Sequence, residues 1–369
     1  MADVQVKHYH IGDGLRLGPG RDLFDYLAEC VSDFLARKQL KGQSIPLGFT
    51  FSFPMHQYSL KSGVLVKWTK SFNCSGVEGK DVVKLLSEAL ERKGCCGVTV
   101  RAVLNDTTGT LMMGAYMDRQ TSIGLILGTG CNACYLEKAN RVLEWESKSR
   151  GEEVVIDVEW GAFGDNGVLD FIQTRFDVEV DSNSLLVNSF TFEKYISGKY
   201  LGEIVRVVLV SLVKRGLLFG GYLSNAMSRS GSFSSAMVSR IEECTLKDSK
   251  GEILQLLETF GIQNCTEDDL IVVQHVCCLV SNRSALLVSI CLAELINWID
   301  KPEVTVAVDG SLYQKHPRYQ FLMHKYMKLF TNKRVRFNIL PCQDGSGRGA
   351  ALATAIALRL DDRFGDCWR

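Results

Sequence analysis

The feature that most constrains the fold is an alternation of short β-rich apolar runs with segments of helical periodicity. Residues 45–53 form a β-rich run that Pro54 stops, and residues 82–90 carry apolar side chains at helical spacing. Residues 98–104 form the next strand pattern, which leads directly into the polar triplet 105–107. Strands and helices that alternate in this way predict an α/β layer with a mainly parallel sheet.

The second part of the sequence continues with a hairpin, a long helical block and a final pair of strands. Two strand patterns, 122–127 and 133–136, flank the glycine turn 128–131, which predicts a β-hairpin. The remaining predicted elements are a strand at 154–159, a mainly helical block at 190–298, strands at 304–308 and 335–340, and a helix at 349–360. A chain of 369 residues with this pattern is expected to form two domains or lobes.

The balance of charges and the apolar stretches bear on whether the chain binds nucleic acid or a membrane. Acidic and basic residues number 42 each, and a neutral chain is a poor candidate for nucleic acid because binding to the phosphate backbone needs a basic surplus. The longest apolar stretches, 204–219 and 270–299, are interrupted by charged side chains such as Arg206 and Arg283. They therefore predict buried helices and no membrane partner. The sequence does not indicate an oligomeric state.

The number of cysteines, taken with the N-terminal sequence, indicates the redox state of the cellular compartment. The sequence contains 13 cysteines, and residues 1–20 show no apolar signal-peptide core. This combination predicts reduced thiols and a cytoplasmic location. Cys131 and Cys134 have CxxC spacing, but no second pair or histidine is spaced to complete a zinc site, so no protein-bound metal is expected.

Small polar residues follow the predicted strands, at the sheet edge where α/β proteins build their clefts. In Asn105-Asp106-Thr107 a carboxylate could act as a general base toward a substrate hydroxyl, or the triplet could cap the following helix. Gly128-Thr129-Gly130, followed by Asn132, could hold a phosphate with its backbone N–H groups, or form an ordinary hairpin turn. Both alternatives stay open from the residues alone.

Two later strands end in similar motifs. Asp309-Gly310-Ser311 and the glycine-rich segment 345–349 could bind phosphate or ribose, or could be turns. Glu159 and Glu193 are candidate ligands of sugar hydroxyls, or surface and capping residues. No Gly-x-Gly-x-x-Gly motif opens a helix after the first strand, which disfavours a dinucleotide-binding oxidoreductase.

Taken together and in order, the motifs resemble those of the hexokinase and glucokinase family, within the larger group of kinases and ATPases that share the actin-like fold. The resemblance extends from about residue 23 to about residue 360. The motifs that carry it are 47–54 (LGFTFSFP), 68–70 (WTK), 105–107 (NDT), 128–133 (GTGCNA), 159–165 (EWGAFGD), 193–194 (EK), 200–203 (YLGE), 308–313 (VDGSLY) and 345–351 (GSGRGAA).

The resemblance implies a two-lobed α/β fold of the actin-like, ribonuclease H-like type, with a cleft between a small and a large lobe. The small lobe is expected to comprise residues 1–105, to which a C-terminal helix at 347–360 returns. The large lobe is expected at residues 106–346, and residues 361–369 are expected to be a charged tail.

The resemblance also implies an enzyme of glycolysis that transfers the γ-phosphate of ATP, with Mg²⁺, to the 6-hydroxyl of a hexose such as glucose. Asp106 would be the general base that takes the hydroxyl proton, and Lys70 would steady the sugar and the phosphates. The residues implied for the sugar are Ser52, Thr69, Lys70, Asn105, Asp106, Asn132, Glu159 and Glu193. Those implied for the nucleotide are Thr129, Lys199, Ser239, Gly310, Ser311 and Ser346.

Two departures from the family pattern modify this expectation. The family domain opens with a hairpin resembling Leu-Asp-x-Gly-Gly-Thr-Asn, which holds the ATP phosphates, and no such pattern occurs in this sequence. An N-terminally truncated single kinase unit is therefore expected, with a small lobe that lacks its first strands. Phe190 stands where the family commonly has a polar sugar-binding residue. Two functions follow: an active hexose kinase, or a catalytically impaired sugar-binding or regulatory protein on the same fold.

Overall fold

The computed structural model describes residues 4–143, 145 and 152–364. The chain forms two compact units: unit 1 comprises Met1–Met113 and Asp344–Arg369, and unit 2 comprises Gly114–Gln343. The division falls within a helix, Asp106–Met117, so the residues that begin this helix belong to unit 1. The lobe limits expected from the sequence stay a prediction.

Helices and strands alternate along the described chain, which confirms the predicted α/β class. The strands are β1 Ile45–Thr50, β2 Met55–Ser59, β3 Ser62–Leu65, β4 Val98–Leu104, β5 Thr121–Leu127, β6 Cys131–Lys138, β7 Glu153–Asp157, β8 Glu303–Asp309 and β9 Arg336–Pro341. The helices are α1 Asp13–Arg16, α2 Gly20–Arg37, α3 Val82–Arg92, α4 Asp106–Met117, α5 Arg175–Ser182, α6 Thr191–Ile196, α7 Gly198–Lys214, α8 Asn225–Ser228, α9 Ser235–Leu246, α10 Lys250–Thr259, α11 Glu267–Ile299, α12 Ser311–Lys315, α13 Tyr319–Phe330 and α14 Gly345–Phe364.

Unit 1 is built around the parallel strand pair β1–β4, on which α14 packs. Gly48 in β1 permits this contact, because a Cβ there would lie 2.5 Å from the carbonyl oxygen of Ala350 in α14. The antiparallel hairpin β2–β3 and the helices α2 and α3 contribute to an apolar core that includes Phe24, Trp68 and Leu86. This core supports β4, whose end leads directly into α4.

Unit 2 contains a five-stranded mixed sheet with the strand order β7-β6-β5-β8-β9. β5, β6 and β7 are antiparallel neighbours, whereas β8 runs parallel to both β5 and β9. The predicted hairpin β5–β6 is confirmed, and the sheet of this unit is mixed, whereas β1 and β4 in the first part of the chain pair in parallel as predicted. The three-residue connection between β5 and β6 is too short for a crossover and therefore requires antiparallel pairing.

Helix α11 belongs to the core of unit 2. By length and composition it could cross a membrane, but 56% of its most apolar stretch is buried inside the protein. Ser284 Oγ of α11 donates to the carbonyl oxygen of Ile196 at 2.7 Å, and Arg283 forms an ion pair with Asp177 at 2.7 Å. These contacts identify α11 as the buried helix that the sequence predicts.

Gly349→Ala is expected to destabilise unit 1, because the added Cβ would lie 1.8 Å from the carbonyl oxygen of Gly109 in α4. Overpacking of this kind lowers the free energy of unfolding by about 1–3 kcal/mol, which urea denaturation measures. Gly251→Ala in α10 is the matched control, because nothing lies within 4 Å of its Cβ position. The control is expected to be neutral or to stabilise by up to ~1 kcal/mol. Equal unfolding energies for the two variants would contradict a close approach of α14 and α4.

Candidate functional site

The first group of predicted site residues surrounds the carboxylate of Asp106 in unit 1. Asp106 is the first residue of α4 and is only 7% exposed. Its Oδ2 lies 3.6 Å from the Nζ of Lys70, and its Oδ1 has no hydrogen-bond partner among the described residues. Lys70 Nζ also donates to the carbonyl oxygen of Ser52 at 2.9 Å. A buried carboxylate with a cation near one oxygen and a second, buried oxygen that lacks a hydrogen-bond partner is chemically able to accept a proton from a hydroxyl.

Asn105 settles which residue caps α4. Its Oδ1 accepts hydrogen bonds from the backbone N–H of Thr107 at 2.9 Å and from the hydroxyl of Thr107 at 2.8 Å. The capping interpretation of the triplet is therefore correct for Asn105. Because the cap is already provided, the carboxylate of Asp106 is left for another role.

The segment that carries Lys70 has an unusual backbone. Lys70 and Ser71 both have a positive φ, at 55° and 69°, a region that costs on the order of 1–3 kcal/mol for residues other than glycine. The preceding residue, Thr69, is buried, and Trp68 donates its indole N–H to the carbonyl oxygen of Cys74 at 2.9 Å. The side chain of Lys70 is thus held in place by its backbone as well as by its ion pair.

An aromatic cluster supports the same segment. Its members are Phe51, Phe53, Trp68 and Phe72, and the ring of Phe53 lies edge-on to that of Trp68 at a centroid distance of 4.7 Å. The Nζ of Lys70 lies 5.8 Å from the centroid of the Phe53 ring. Ser52 lies between two of these aromatic residues, so its carbonyl oxygen is fixed where it accepts from Lys70.

The second group lies in unit 2, at the ends of β6 and β7. Asn132 donates from Nδ2 to Asp157 Oδ1 and to Glu159 Oε1, both at 2.8 Å, and its Oδ1 accepts from the backbone N–H of Ala133 at 2.8 Å. The amide is therefore oriented by three contacts. Asp157 was not predicted as a site residue, although its position at the end of β7, two residues before Glu159, is a signal that could have identified it.

Glu193 is placed by the start of α6. The side chain of Asp165 accepts from the backbone N–H groups of Phe190 at 3.0 Å and of Thr191 at 2.8 Å, which satisfies the first turn of this helix. Glu193 is only 5% exposed, and a Cβ on Gly161 would lie 3.5 Å from the Cβ of Glu193 and 3.4 Å from the ring of Phe190. Gly161 therefore lies against both side chains, and the left-handed backbone of Phe190, with a φ of 58°, fixes the direction of its ring.

The third group lines a cavity of about 650 Å³ in unit 2. Four of the six residues predicted for a nucleotide are among its lining residues: Thr129, Lys199, Ser239 and Ser311. Gly310 is not among the lining residues but directly precedes Ser311, and it has a φ of 116°. A Cβ on Gly310 would lie 2.3 Å from the carbonyl oxygen of Leu127, so only glycine is accommodated there. Gly198, Ser235, Arg240, Glu243 and Lys315 also line the cavity and were not predicted.

The turn between β5 and β6 is attached to helix α7 by its carbonyl groups. The carbonyl oxygen of Gly128 accepts from the N–H of Gly198 at 2.9 Å, and that of Thr129 accepts from the N–H of Lys199 at 3.0 Å. Ser235 Oγ in turn donates to the carbonyl oxygen of Gly198. These bonds fix the turn as one wall of the cavity and direct its carbonyl oxygens toward α7.

The wall formed by residues 315–318 is attached to a buried charged cluster. Glu242 is fully buried and lies 3.3 Å from His316 Nε2 and 2.8 Å from Arg318 NH1, while Ser281 Oγ lies 3.0 Å from His316 Nε2. Burial alone raises the pKa of a carboxyl group, but the contacts with His316, Ser281 and Arg318 outweigh it and hold the pKa of Glu242 below its ordinary value. This cluster connects the Lys315–Arg318 wall to α9 and α11.

Comparison with known proteins decides the family. Two hexokinase family models match the chain, one over residues 1–116 and the other over residues 122–356. This chain belongs to the hexokinase family. Hexokinase-2 of Rattus norvegicus is 44% identical and hexokinase-1 of Homo sapiens is 42% identical, each over 98% of this chain. The chain spans 39% of the length of each of these two relatives.

A solved structure supports the fold directly. A hexokinase from Schistosoma mansoni, complexed with glucose, is 36% identical to this chain, and the match has a TM-score of 0.86 over 95% of this chain and 79% of that one. The predicted actin-like sugar-kinase fold of this hexokinase-family chain is therefore confirmed.

The predicted site residues of this hexokinase-family chain lie in both units. Those in unit 1 are Ser52, Thr69, Lys70, Asn105, Asp106 and Ser346, and those in unit 2 are Thr129, Asn132, Glu159, Glu193, Lys199, Ser239, Gly310 and Ser311. Ser346 is not among the residues lining the 650 Å³ cavity; its carbonyl oxygen accepts from the hydroxyl of Thr50 at 3.1 Å, within unit 1. The individual roles of these residues stay predictions. Within the described ranges, no cluster of three or more His, Cys, Asp or Glu residues is arranged to hold a metal ion.

Glu242→Gln is expected to lower the free energy of unfolding at neutral pH by about 3 kcal/mol, because it removes a buried charge and leaves the guanidinium of Arg318 without its carboxylate partner. The pKa of Glu242 in the folded protein lies below the ordinary value of 4.5. Its carboxylate therefore contributes stability above about pH 4.5 and loses that contribution as the pH falls through the lower folded pKa. The stability difference between wild type and variant should accordingly shrink in acid, as measured by urea unfolding across that range.

The control for this experiment is Glu258→Gln, which changes an exposed carboxylate on α10. Its unfolding energy should stay within ~0.5 kcal/mol of wild type at every pH. A difference between wild type and Glu242→Gln that stayed constant down to acid pH would contradict the charged state assigned to Glu242.

Proposed function

We propose that this chain phosphorylates a hexose, with glucose as the expected substrate, by transferring the γ-phosphoryl group of Mg-ATP to the 6-hydroxyl. The observation that carries the proposal is the carboxylate of Asp106, which is buried, paired with Lys70 at 3.6 Å and left without a hydrogen-bond partner at Oδ1 among the described residues. The membership of the hexokinase family and the similarity to a hexokinase complexed with glucose support the choice of reaction and substrate.

Asp106 is proposed as the general base. Its carboxylate takes the proton of the 6-hydroxyl while the oxygen of that hydroxyl forms a bond to the γ-phosphorus, and the bond from this phosphorus to the bridging oxygen of ADP breaks. A positioned base contributes about 10²–10⁴-fold to the rate. Lys70 offsets the negative charge of the carboxylate before the transfer and that of the transferred group during it.

The cluster of Asn132, Asp157, Glu159 and Glu193 in unit 2 is proposed to bind sugar hydroxyls. Carboxylates accept hydrogen bonds from hydroxyl groups, and the Asn132 amide is held in one orientation by its three contacts. Each deleted partner would leave a buried donor or acceptor unpaired, at a cost of about 1–3 kcal/mol.

The cavity of unit 2 is proposed to hold the nucleotide. Its volume of about 650 Å³ lies within the usual range of roughly 300–1,000 Å³ for small-molecule sites. The glycines 128 and 310 let the backbone approach a phosphate closely, and the hydroxyls of Thr129 and Ser311 are available as hydrogen-bond donors. Mg²⁺ arrives as part of the substrate, because it is usually bound through phosphate oxygens and water.

A cytoplasmic location is part of the same proposal. None of the cysteines in the described ranges takes part in a disulfide, which agrees with a reducing compartment.

The second candidate function is sugar binding with impaired phosphoryl transfer. The hydroxyl-binding cluster favours it, because Asn132, Glu159 and Glu193 are held within unit 2 by bonds that do not involve Asp106. Such a protein would bind glucose, and would be stabilised by it, without turning it over.

Asp106→Asn is expected to reduce glucose 6-phosphate formation from Mg-ATP and glucose by about 10²–10⁴-fold, because the amide cannot take up the hydroxyl proton. The measurement is the initial rate in a coupled assay, with the melting temperature recorded alongside. Asp22→Asn, an exposed carboxylate in the first turn of α2, is the matched control and should retain the wild-type rate.

Two outcomes would count against the kinase proposal. Full activity in Asp106→Asn would exclude Asp106 as the base. No product from wild-type protein whose melting temperature glucose raises would favour the sugar-binding alternative.

A further inference from the structure

We propose that Lys315 binds the phosphate chain of the nucleotide donor in the cavity of unit 2. The identity of that ligand as a nucleoside polyphosphate depends on the proposed function. The role of Lys315 rests on its charge, on its position along α12 and on the buried cluster that follows it.

The absence of an ion pair among the described residues distinguishes Lys315 from Arg240 and Glu243, two other charged residues that line the cavity. Arg240 is engaged by Glu243 at 2.8 Å and also by Glu252, and Glu243 is bonded in addition to Lys247 at 2.6 Å. Arg240 and Glu243 therefore largely neutralise each other within a network at the protein surface. Lys315, in contrast, forms no ion pair with any carboxylate in the described ranges, so its charge remains available to a ligand.

The position of Lys315 along α12 brings its charge close to Ser311 and the β5–β6 turn, where the phosphates are proposed to bind. Ser311 and Lys315 are four residues apart at the two ends of α12, which places them on one face, and both line the cavity. Ser311 adjoins the β5–β6 turn, since a Cβ on Gly128 would lie 3.8 Å from the backbone nitrogen of Ser311. The Cα–Cβ bonds of a helix tilt toward its N-terminus, so the side chain of Lys315 leaves α12 in the direction of Ser311.

The residues that follow Lys315 hold its backbone in position. His316 is only 4% exposed and contacts both Glu242 and Ser281, and Arg318 pairs with Glu242 at 2.8 Å. The end of α12 is thereby attached to the buried cluster and has little freedom to move. A cation that is positioned before the ligand arrives loses less entropy on binding, which strengthens its contribution to affinity.

This arrangement predicts which kinetic quantity Lys315 affects. ATP and ADP share the α- and β-phosphates, so a contact to these groups stabilises substrate, transition state and product alike. Such uniform binding lowers the KM for Mg-ATP and leaves kcat nearly unchanged. Adenosine lacks the phosphates, and its affinity should not depend on Lys315.

The experiment compares Lys315→Met with Lys328→Met, a matched change at an exposed lysine of α13 outside the cavity lining. Dissociation constants for Mg-ADP and for adenosine are measured by calorimetry, and the KM for Mg-ATP is measured where turnover is present. Lys315→Met should weaken Mg-ADP binding about tenfold, which is the scale of one charge-assisted hydrogen bond, and should leave adenosine binding unchanged. Lys315→Arg should restore most of the Mg-ADP affinity, because it keeps the charge.

Two results would overturn the proposal. Equal Mg-ADP affinities for Lys315→Met and Lys328→Met would show that Lys315 makes no contact with phosphate. An equal loss of Mg-ADP and adenosine affinity in Lys315→Met, without rescue by arginine, would show a contact to the nucleoside or a disturbed cavity. Because binding is measured directly, a wild-type protein that binds Mg-ADP but yields no sugar phosphate would refute the proposed function alone.

Discussion

A carboxylate removed from water must be paired if it is to remain charged, and in unit 1 the contact between Asp106 and Lys70 provides that pairing. The other features of this unit are arranged around it. The left-handed backbone and the aromatic cluster fix Lys70, and Asn105 caps α4 so that Asp106 is not used as the cap. The close approach of Gly349 to Gly109 secures α4 against α14. The position of the Asp106 carboxylate thus depends on the packing of the unit that carries it.

The nucleotide site proposed in unit 2 has a different requirement, because a polyanion has to be approached by backbone as well as by side chains. Its cavity is bounded by a glycine turn whose carbonyls are already bonded to α7. Next to the lining residue Ser311, Gly310 occupies a position where any larger residue would collide with β5. The wall formed by residues 315–318 is held by the buried Glu242–His316 contact. Rigid surroundings of this kind suit a ligand whose charge must be met by groups that are already in position.

The sequence predicted those parts of the fold and site that are local. β4 spans the predicted residues 98–104, because an apolar run with a polar end is a pattern complete within itself. The predicted strand at 154–159 lies at 153–157, because pairing with β6 determines its limits. Lys315 was not predicted because it belongs to no short motif, and only the packing of α12 brings it to the cavity. Asp157 stands close to Glu159 in the sequence, but the pairing of β7 with β6 is what brings its carboxylate to Asn132.

The long apolar helix α11 has a consequence for how the protein is made. Its 33 residues correspond to a rod about 50 Å long. One of its packing partners, α7, precedes it in the chain, whereas the other, α13, emerges from the ribosome only afterwards. During synthesis, a nascent chain that ends shortly after α11 therefore exposes a face of this helix that has nothing to cover it. Such an intermediate is a natural client for chaperones and is prone to aggregation when they are scarce.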